Sequence, residues 1–142
     1  MRLYNNMDGF IRLSEGVSLG FHAMVYIYEN PDSPQKVCDI AKAFNLPDSH
    51  MAKVCQRLVK TGFLKSMRGP CGGVYPRKKA EDIRLIDIYK SIEGEPEPVT
   101  CLIRDFDCPK KGCIFGTILT EANKKILDFL NDTTLDSLLK IK

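Results

Sequence analysis

Residues 69–73 read Gly-Pro-Cys-Gly-Gly. No helix or strand runs through such a segment. Proline donates no N–H and fixes one backbone angle, and the glycines offer no side chain to pack. The segment must be a turn. Extended residues flank it, Phe63-Leu64-Lys65-Ser66-Met67-Arg68 before and Val74-Tyr75-Pro76 after. The pattern predicts a β-hairpin with residues 69–73 at its tip.

Upstream, the period changes from two to that of a helix. Ser14 can cap a helix, and residues 17–28 are apolar nearly all round, as a buried helix would be, with Pro31 and Pro34 ending it. A second, short helix is expected from about Cys38 to Phe44, with Ile40, Ala41 and Phe44 on its apolar face. Asn45-Leu46-Pro47 makes a turn, and Asp48 or Ser49 caps a third helix running to about Thr61, where Gly62 stops it. Met51, Val54, Cys55 and Leu58 fall at i, i+3, i+4 and i+7, one buried stripe, and His50, Lys53, Arg57 and Lys60 point elsewhere. Two helices joined by a tight turn and followed by a hairpin describe a winged helix-turn-helix, whose second helix enters the major groove of DNA. Arg68, expected at the base of the wing, and Lys65 before it are placed to reach phosphates or a narrow minor groove.

Charge agrees with this reading. The chain carries only three net positive charges, but residues 1–79 hold twelve Lys/Arg against six Asp/Glu, and residues 80–142 hold nine against twelve. Residues 49–79 contain eight basic residues and no acid: Lys53, Arg57, Lys60, Lys65, Arg68, Arg77, Lys78 and Lys79. A basic block beside an acidic remainder is the footprint of a polyanion-binding module, with a solvated basic face as the plain alternative.

Beyond the hairpin, a fourth helix is expected from about Leu85 to Glu93, and the proline- and glycine-rich residues 93–98 read as a linker. Residues 100–112 read as a loop, and a long helix follows from about Ile114 to Asn131, with Ile118, Ala122, Ile126 and Leu130 on one face. Such a helix needs a partner surface; a second copy of itself is the economical choice, packing on its own domain the alternative. Residues 133–139, Thr-Thr-Leu-Asp-Ser-Leu-Leu, suggest one short terminal helix. The expected organisation is an extension at 1–10, a DNA-binding domain at 11–94, a linker with a cysteine-bearing loop at 95–113 and a dimerisation region at 114–142. The fold class is mainly α with a small β-hairpin.

No apolar run approaches a membrane-spanning helix, and the first residues lack a secretory signal, so a cytoplasmic protein is expected. No nucleophile–base pair, phosphate loop or metal-hydrolase motif is present, so neither an enzyme nor a small-molecule substrate is expected. The six cysteines at 38, 55, 71, 101, 108 and 113 are then candidates for metal binding, redox chemistry or packing rather than a disulfide set. Cys55 lies on the buried stripe and Cys38 reads as structural. Cys71, at the wing tip, is a redox candidate. Cys101, Cys108 and Cys113 form C-x6-C-x4-C in one loop, a donor set that suits an iron–sulfur cluster. Free thiols acting as a redox switch are the alternative, and zinc lacks four visible ligands.

The ordered set Arg12-Leu13-Ser14, Asp39-Ile40-Ala41, Leu58-Val59-Lys60-Thr61-Gly62-Phe63-Leu64, Ser66-Met67-Arg68-Gly69-Pro70-Cys71-Gly72-Gly73, Ile88-Tyr89-Lys90-Ser91-Ile92-Glu93-Gly94 and Thr134-Leu135-Asp136-Ser137-Leu138 resembles the IscR/NsrR/CymR-like (Rrf2) family of bacterial winged-helix regulators over residues 11–139. The resemblance implies a homodimer on a pseudo-palindromic double-stranded DNA operator, usually a repressor. It implies recognition through Ser49, His50, Lys53 and Arg57, with Lys65, Arg68, Gly69, Gly72 and Gly73 on the wing. In some members three cysteines at this place hold a 2Fe–2S or 4Fe–4S cluster. The histidine that follows the third cysteine by one turn in IscR-like members is replaced here by Gly116, and the carboxylate of NsrR-like members by Ser18; Glu15 and His22 are the other candidates for a fourth ligand. Two alternatives stand beside a cluster-sensing regulator. One is the same regulator without a cluster, answering a small molecule, thiol oxidation or a partner enzyme. The other is a metal- or cluster-binding module for protein contacts.

Overall fold

The structure, a computed structural model, describes residues 13–97, 101, 109 and 113–141. The extension assigned to 1–10 and most of the loop at 100–112 lie outside these residues. Helix α1 (Glu15–Glu29) is capped as expected, the Ser14 side chain accepting the Val17 N–H at 3.2 Å. Val17, Ala23, Met24 and Ile27 are wholly buried. The helix has neighbours on several sides, packing against α3 (Asp48–Lys60), α4 (Leu85–Glu93), α6 (Leu135–Leu139) and strand β2 (Gly73–Pro76).

Helices α2 (Val37–Ala43) and α3 form the expected pair. The N-cap of α3 is Pro47, not Asp48 or Ser49; Asp48 is the first helical residue, where its charge meets the unpaired N–H groups of the first turn. All four residues of the predicted stripe, Met51, Val54, Cys55 and Leu58, are buried. At the far end the Gly62 N–H bonds the Val59 carbonyl (3.1 Å) and the Phe63 N–H the Leu58 carbonyl (3.0 Å), so the chain turns out of the helix with its last carbonyls satisfied.

Strand β1 (Leu64–Met67) pairs antiparallel with β2 in the register Leu64↔Pro76 to Met67↔Gly73. The hairpin does not stand alone. Gln35, just before α2, exchanges two backbone hydrogen bonds of 2.8 Å with Val74. Tyr28, at the end of α1, donates through its hydroxyl to the carbonyls of Phe63 (3.3 Å) and Lys78 (2.9 Å), one on each side of the hairpin root. Burial raises that phenol above its ordinary pKa, against smaller opposing effects of the backbone at Lys78 and Arg77. The glycines at the tip have a steric reason. A Cβ on Gly73 would sit 2.4 Å from the Gln35 carbonyl oxygen, and one on Gly72 would sit 2.2 Å from that of Met67. Both obstacles are backbone and cannot turn aside.

The long helix starts later than the periodicity implies. Cys113–Thr117 form turns, and α5 runs Ile118–Asp132. Gly116 has φ +59°, the left-handed region, and there the right-handed path is broken. The buried residues are Leu119, Asn123 and Leu130, whereas Ile118, which begins the predicted face, is 56% exposed. Buried Asn123 has a polar partner, and among the described residues no buried side-chain nitrogen or oxygen lacks one. After α5 the chain returns to the domain: Leu85 N–H bonds the Thr133 carbonyl (3.0 Å), Leu135 N–H the Ile83 carbonyl (2.8 Å), and Thr134 caps α6. No helix among the described residues is long and apolar enough to cross a membrane.

Because Gly73 is wedged against the Gln35 backbone, Gly73→Ala should destabilise the fold by about 1–3 kcal/mol, the scale of an overpacked site. Chemical denaturation of the two proteins measures this, and an unchanged midpoint would refute the wedge.

Candidate nucleic-acid interface

Helix α3 presents its two sides to different surroundings. The apolar stripe faces the core, and Ser49, His50, Lys53, Arg57 and Lys60 are exposed. The helix is fixed from behind by apolar packing, which holds the exposed side in a defined direction.

The basic block is not uniform. Lys65, on β1, folds over the ring of its cross-strand partner Tyr75, 5.8 Å from the centroid, and Lys78 stands 4.6 Å over the Phe63 ring. These contacts lay the aliphatic stems on apolar surface and orient the ammonium groups. Among the described residues the ion pair within the block is Lys79–Glu81, at 3.8 Å with both ends exposed, which neutralises little. Lys53, Lys60, Arg68 and Arg77 are exposed and have no carboxylate partner among the described residues.

The wing differs in one respect from the sequence expectation. Met67↔Gly73 is the last pair of the hairpin, so Arg68 is the first residue of the tip loop rather than part of the base. Arg68, Gly69 and Cys71 are exposed; Gly72 and Gly73 are half-buried and serve the shape of the loop. Arg57, expected on the recognition surface, also has a partner within the fold. Its guanidinium donates to the carbonyl of Ile92, at the end of α4, and beside it Ser14 Oγ donates to the Glu93 carboxylate. These groups line a cleft of about 330 Å³ shared with Glu15, His50 and Lys53. Tyr28 and Gln35, which hold the wing to α1 and α2, are not singled out by sequence. A tyrosine ending a buried helix is the available signal, because a buried hydroxyl needs a partner.

Cys55 is 2% exposed and its burial pushes the thiol up to about 11, so it belongs to the core. Cys38 is half-buried and Cys71 exposed. Cys101 is half-buried, Cys113 is exposed at the start of the turns before α5, and Cys108 lies outside the described residues. Among the described residues no group of three His, Cys, Asp or Glu side chains gathers as a metal site. Glu15, Ser18 and His22 line one exposed side of α1. His22 Nδ1 is 2.7 Å from the Ser18 carbonyl oxygen. A carbonyl only accepts, so Nδ1 carries a hydrogen, and in the neutral ring Nε2 then keeps its lone pair.

The family model described as Rrf2, iron-dependent transcriptional regulator, matches residues 13–141. The protein rrf2 of Nitratidesulfovibrio vulgaris is 32% identical over 110 residues, 77% of this chain and 73% of that protein. The HTH-type transcriptional regulator IscR of Pectobacterium atrosepticum is 28% identical over 111 residues, 78% of this chain and 68% of that protein. Among solved structures, CymR, the global cysteine regulator of B. subtilis, superposes with a TM-score of 0.76 at 22% identity over 94% of this chain and 99% of that one. That superposition bears on the fold.

The cysteine environments are separable in solution. At pH 8 iodoacetamide should modify Cys71 while leaving Cys55 unmodified in the folded protein, read by peptide mass spectrometry. The unfolded chain releases the Cys55 proton near the ordinary value of 9.0 and the folded chain near 11, so this stabilising contribution is complete below pH 9 and is lost as pH rises from 9 to 11. Denaturation midpoints across that window should fall more steeply for the wild type than for Cys55→Ala.

Proposed function

Since the chain belongs to the Rrf2 family of transcriptional regulators, we propose that it binds a palindromic double-stranded DNA operator as a homodimer and represses from it. On this reading α3 lies in the major groove, where Ser49, His50 and Lys53 meet base edges, and the wing sets Lys65, Arg68 and Gly69 against the flanking backbone. The observation that carries the proposal is α3 itself, buried by one apolar stripe and exposing cations beside a hairpin that other elements hold in place. Lysine and arginine contacts to phosphate supply affinity, and their count sets its salt dependence. The chain is a regulator and not an enzyme, in keeping with its family. A DNA-binding role also places it in the cytoplasm.

The second copy is supported by α5. Ile118 and Phe129 are each 56% exposed and lie eleven residues apart, three helical turns, on one side of the helix. Ile114 and Phe115, also exposed, precede them. A partner helix laid along this side would cover all four. The return of the chain through Thr133 and Leu135 fixes the far end of α5 to the domain, so two paired α5 helices would set the spacing of two recognition helices. The assignment of residues 114–142 to dimerisation and 11–94 to DNA binding follows from this.

The signal proposed is an iron–sulfur cluster or the redox state of the thiols at Cys101, Cys108 and Cys113. The family description as iron-dependent supports it, and three thiols are a soft donor set suited to iron–sulfur chemistry. When bound, such a cluster would supply a redox- and oxygen-sensitive group. Glu15, Ser18 and His22 are the candidates for a fourth ligand, His22 through Nε2. A second reading, regulation without a cluster, has its own support. A neighbour in fold is a cysteine regulator.

The DNA reading is tested on a duplex selected from a random pool with the wild-type protein. Binding should weaken steeply with salt, and Arg68→Ala should cost on the order of 1–3 kcal/mol. Unchanged affinity in that variant would sink the wing assignment. For the signal, anaerobically purified protein should carry stoichiometric iron and sulfide with visible absorption, both absent from a Cys101/Cys108/Cys113→Ala variant. Iron-free, colourless protein after reconstitution would leave the DNA reading standing and favour the cluster-free regulator.

A further inference from the structure

Arg57 stands on the exposed side of the recognition helix, where composition alone marks it as a DNA contact. Its bonding is otherwise. The guanidinium donates to the carbonyl of Ile92 in the last turn of α4. That carbonyl belongs to the orphan set of a helix end. In a continuing helix its donor would be the N–H of residue 96, but α4 ends at Glu93, and residue 96 is a proline without an N–H. Arg57 supplies the donor that the linker sequence withholds. A cation at the C-terminal end of a helix is also favoured by the helix dipole.

Ile92 is tied at its other end as well. Its side chain lies over Gly20 of α1, so close that a Cβ there would fall 2.2 Å from Ile92 Cδ1. Next to it, Ser14, which caps α1, donates to the carboxylate of Glu93. One turn of α4 therefore receives α1 through packing and a hydroxyl, and α3 through a guanidinium. The apolar stripe fixes how deep α3 sits. A polar tether near the end of the helix fixes its rotation and tilt, which decide where Ser49, His50 and Lys53 point.

We propose that Arg57 is a positioning residue. It sets the angle of the recognition helix by holding the Ile92 carbonyl, and it acts on operator discrimination without touching DNA. The inference rests on the DNA-binding reading above. It also links α3 to the start of the linker toward Cys101, because Gly94 follows two residues after Ile92.

The test uses the full-length protein, the duplex selected by the wild type and a scrambled duplex of equal length, over a series of salt concentrations. Wild type, Arg57→Met, Arg57→Lys and, as a phosphate-contact control, Lys65→Met are compared. A positioning role predicts that Arg57→Met loses about tenfold or more of the selected-to-scrambled affinity ratio, while affinity for the scrambled duplex and the salt slope stay at wild-type values; Lys65→Met should instead lower the slope by about one. Arg57→Lys, which can still donate to the Ile92 carbonyl, should recover part of the ratio. Equal loss on both duplexes with a reduced slope would make Arg57 a phosphate contact and overturn the proposal. Discrimination lost at a single base pair would make it a base reader and overturn the proposal equally. A lowered melting temperature with unchanged affinities would leave Arg57 only structural, and the positioning role would fall. Absence of salt-sensitive binding by the wild type would refute the DNA-binding reading itself, a result separable from all of these.

Discussion

Helix α1 is apolar nearly all round, and that one constraint organises the molecule. Most of its surface has to be covered, and α3, α4, α6 and β2 do so, leaving the side of Glu15, Ser18 and His22 to water. Gly20 lets α4 come close on one side, and Tyr28 holds the wing root at the far end. Every element offered to DNA in the proposed complex is therefore supported from behind by the same helix. The arrangement separates a rigid interior from an exposed polar side, which a protein needs if a few side chains are to meet base edges in fixed register.

Much of this is legible in the sequence because it is local. Ser14 announces a helix start, Gly62 and Gly94 two ends, and the spacing of Met51, Val54, Cys55 and Leu58 fixes the buried side of α3. The hairpin is written in its glycines. What escapes is long-range or turns on one backbone angle. The pairing of Gln35 with Val74 joins residues 39 positions apart, and no pattern in either segment names the other. The start of α5 is displaced from its expected place because Gly116 turns left-handed inside an apolar run that reads as helical throughout. Its inner face also differs from the expected one, because tertiary packing buries Asn123 and leaves Ile118 out, against their hydrophobicity.

The candidate interface divides in the same way. That residues 49–79 lack acids is plain from composition, and so is the direction of the exposed side of α3. The fate of each cation is not. Lys65 and Lys78 lie over aromatic rings brought to them by the hairpin, Lys79 has Glu81, and Arg57 has a carbonyl from another helix. Charge counts give the sign of the surface potential, and only the fold says which cations hold the structure together. For the cysteines the sequence supplies a spacing, and the structure adds the contrast between the sealed Cys55 and the open Cys71 and Cys113.

The two sides of α3 have an evolutionary consequence. Met51, Val54, Cys55 and Leu58 carry the stability of the helix, and changes there are felt by the whole core. Ser49, His50 and Lys53 carry none of that burden, since substitutions at exposed positions typically stay within about 0.5 kcal/mol. If these positions read the operator as proposed, a lineage can redirect such a protein to a new one by drift at a few surface positions, with the scaffold unchanged. Arg57 is the exception on that side. Its tether to α4 makes it the position at which a change of address would cost the molecule some of its architecture.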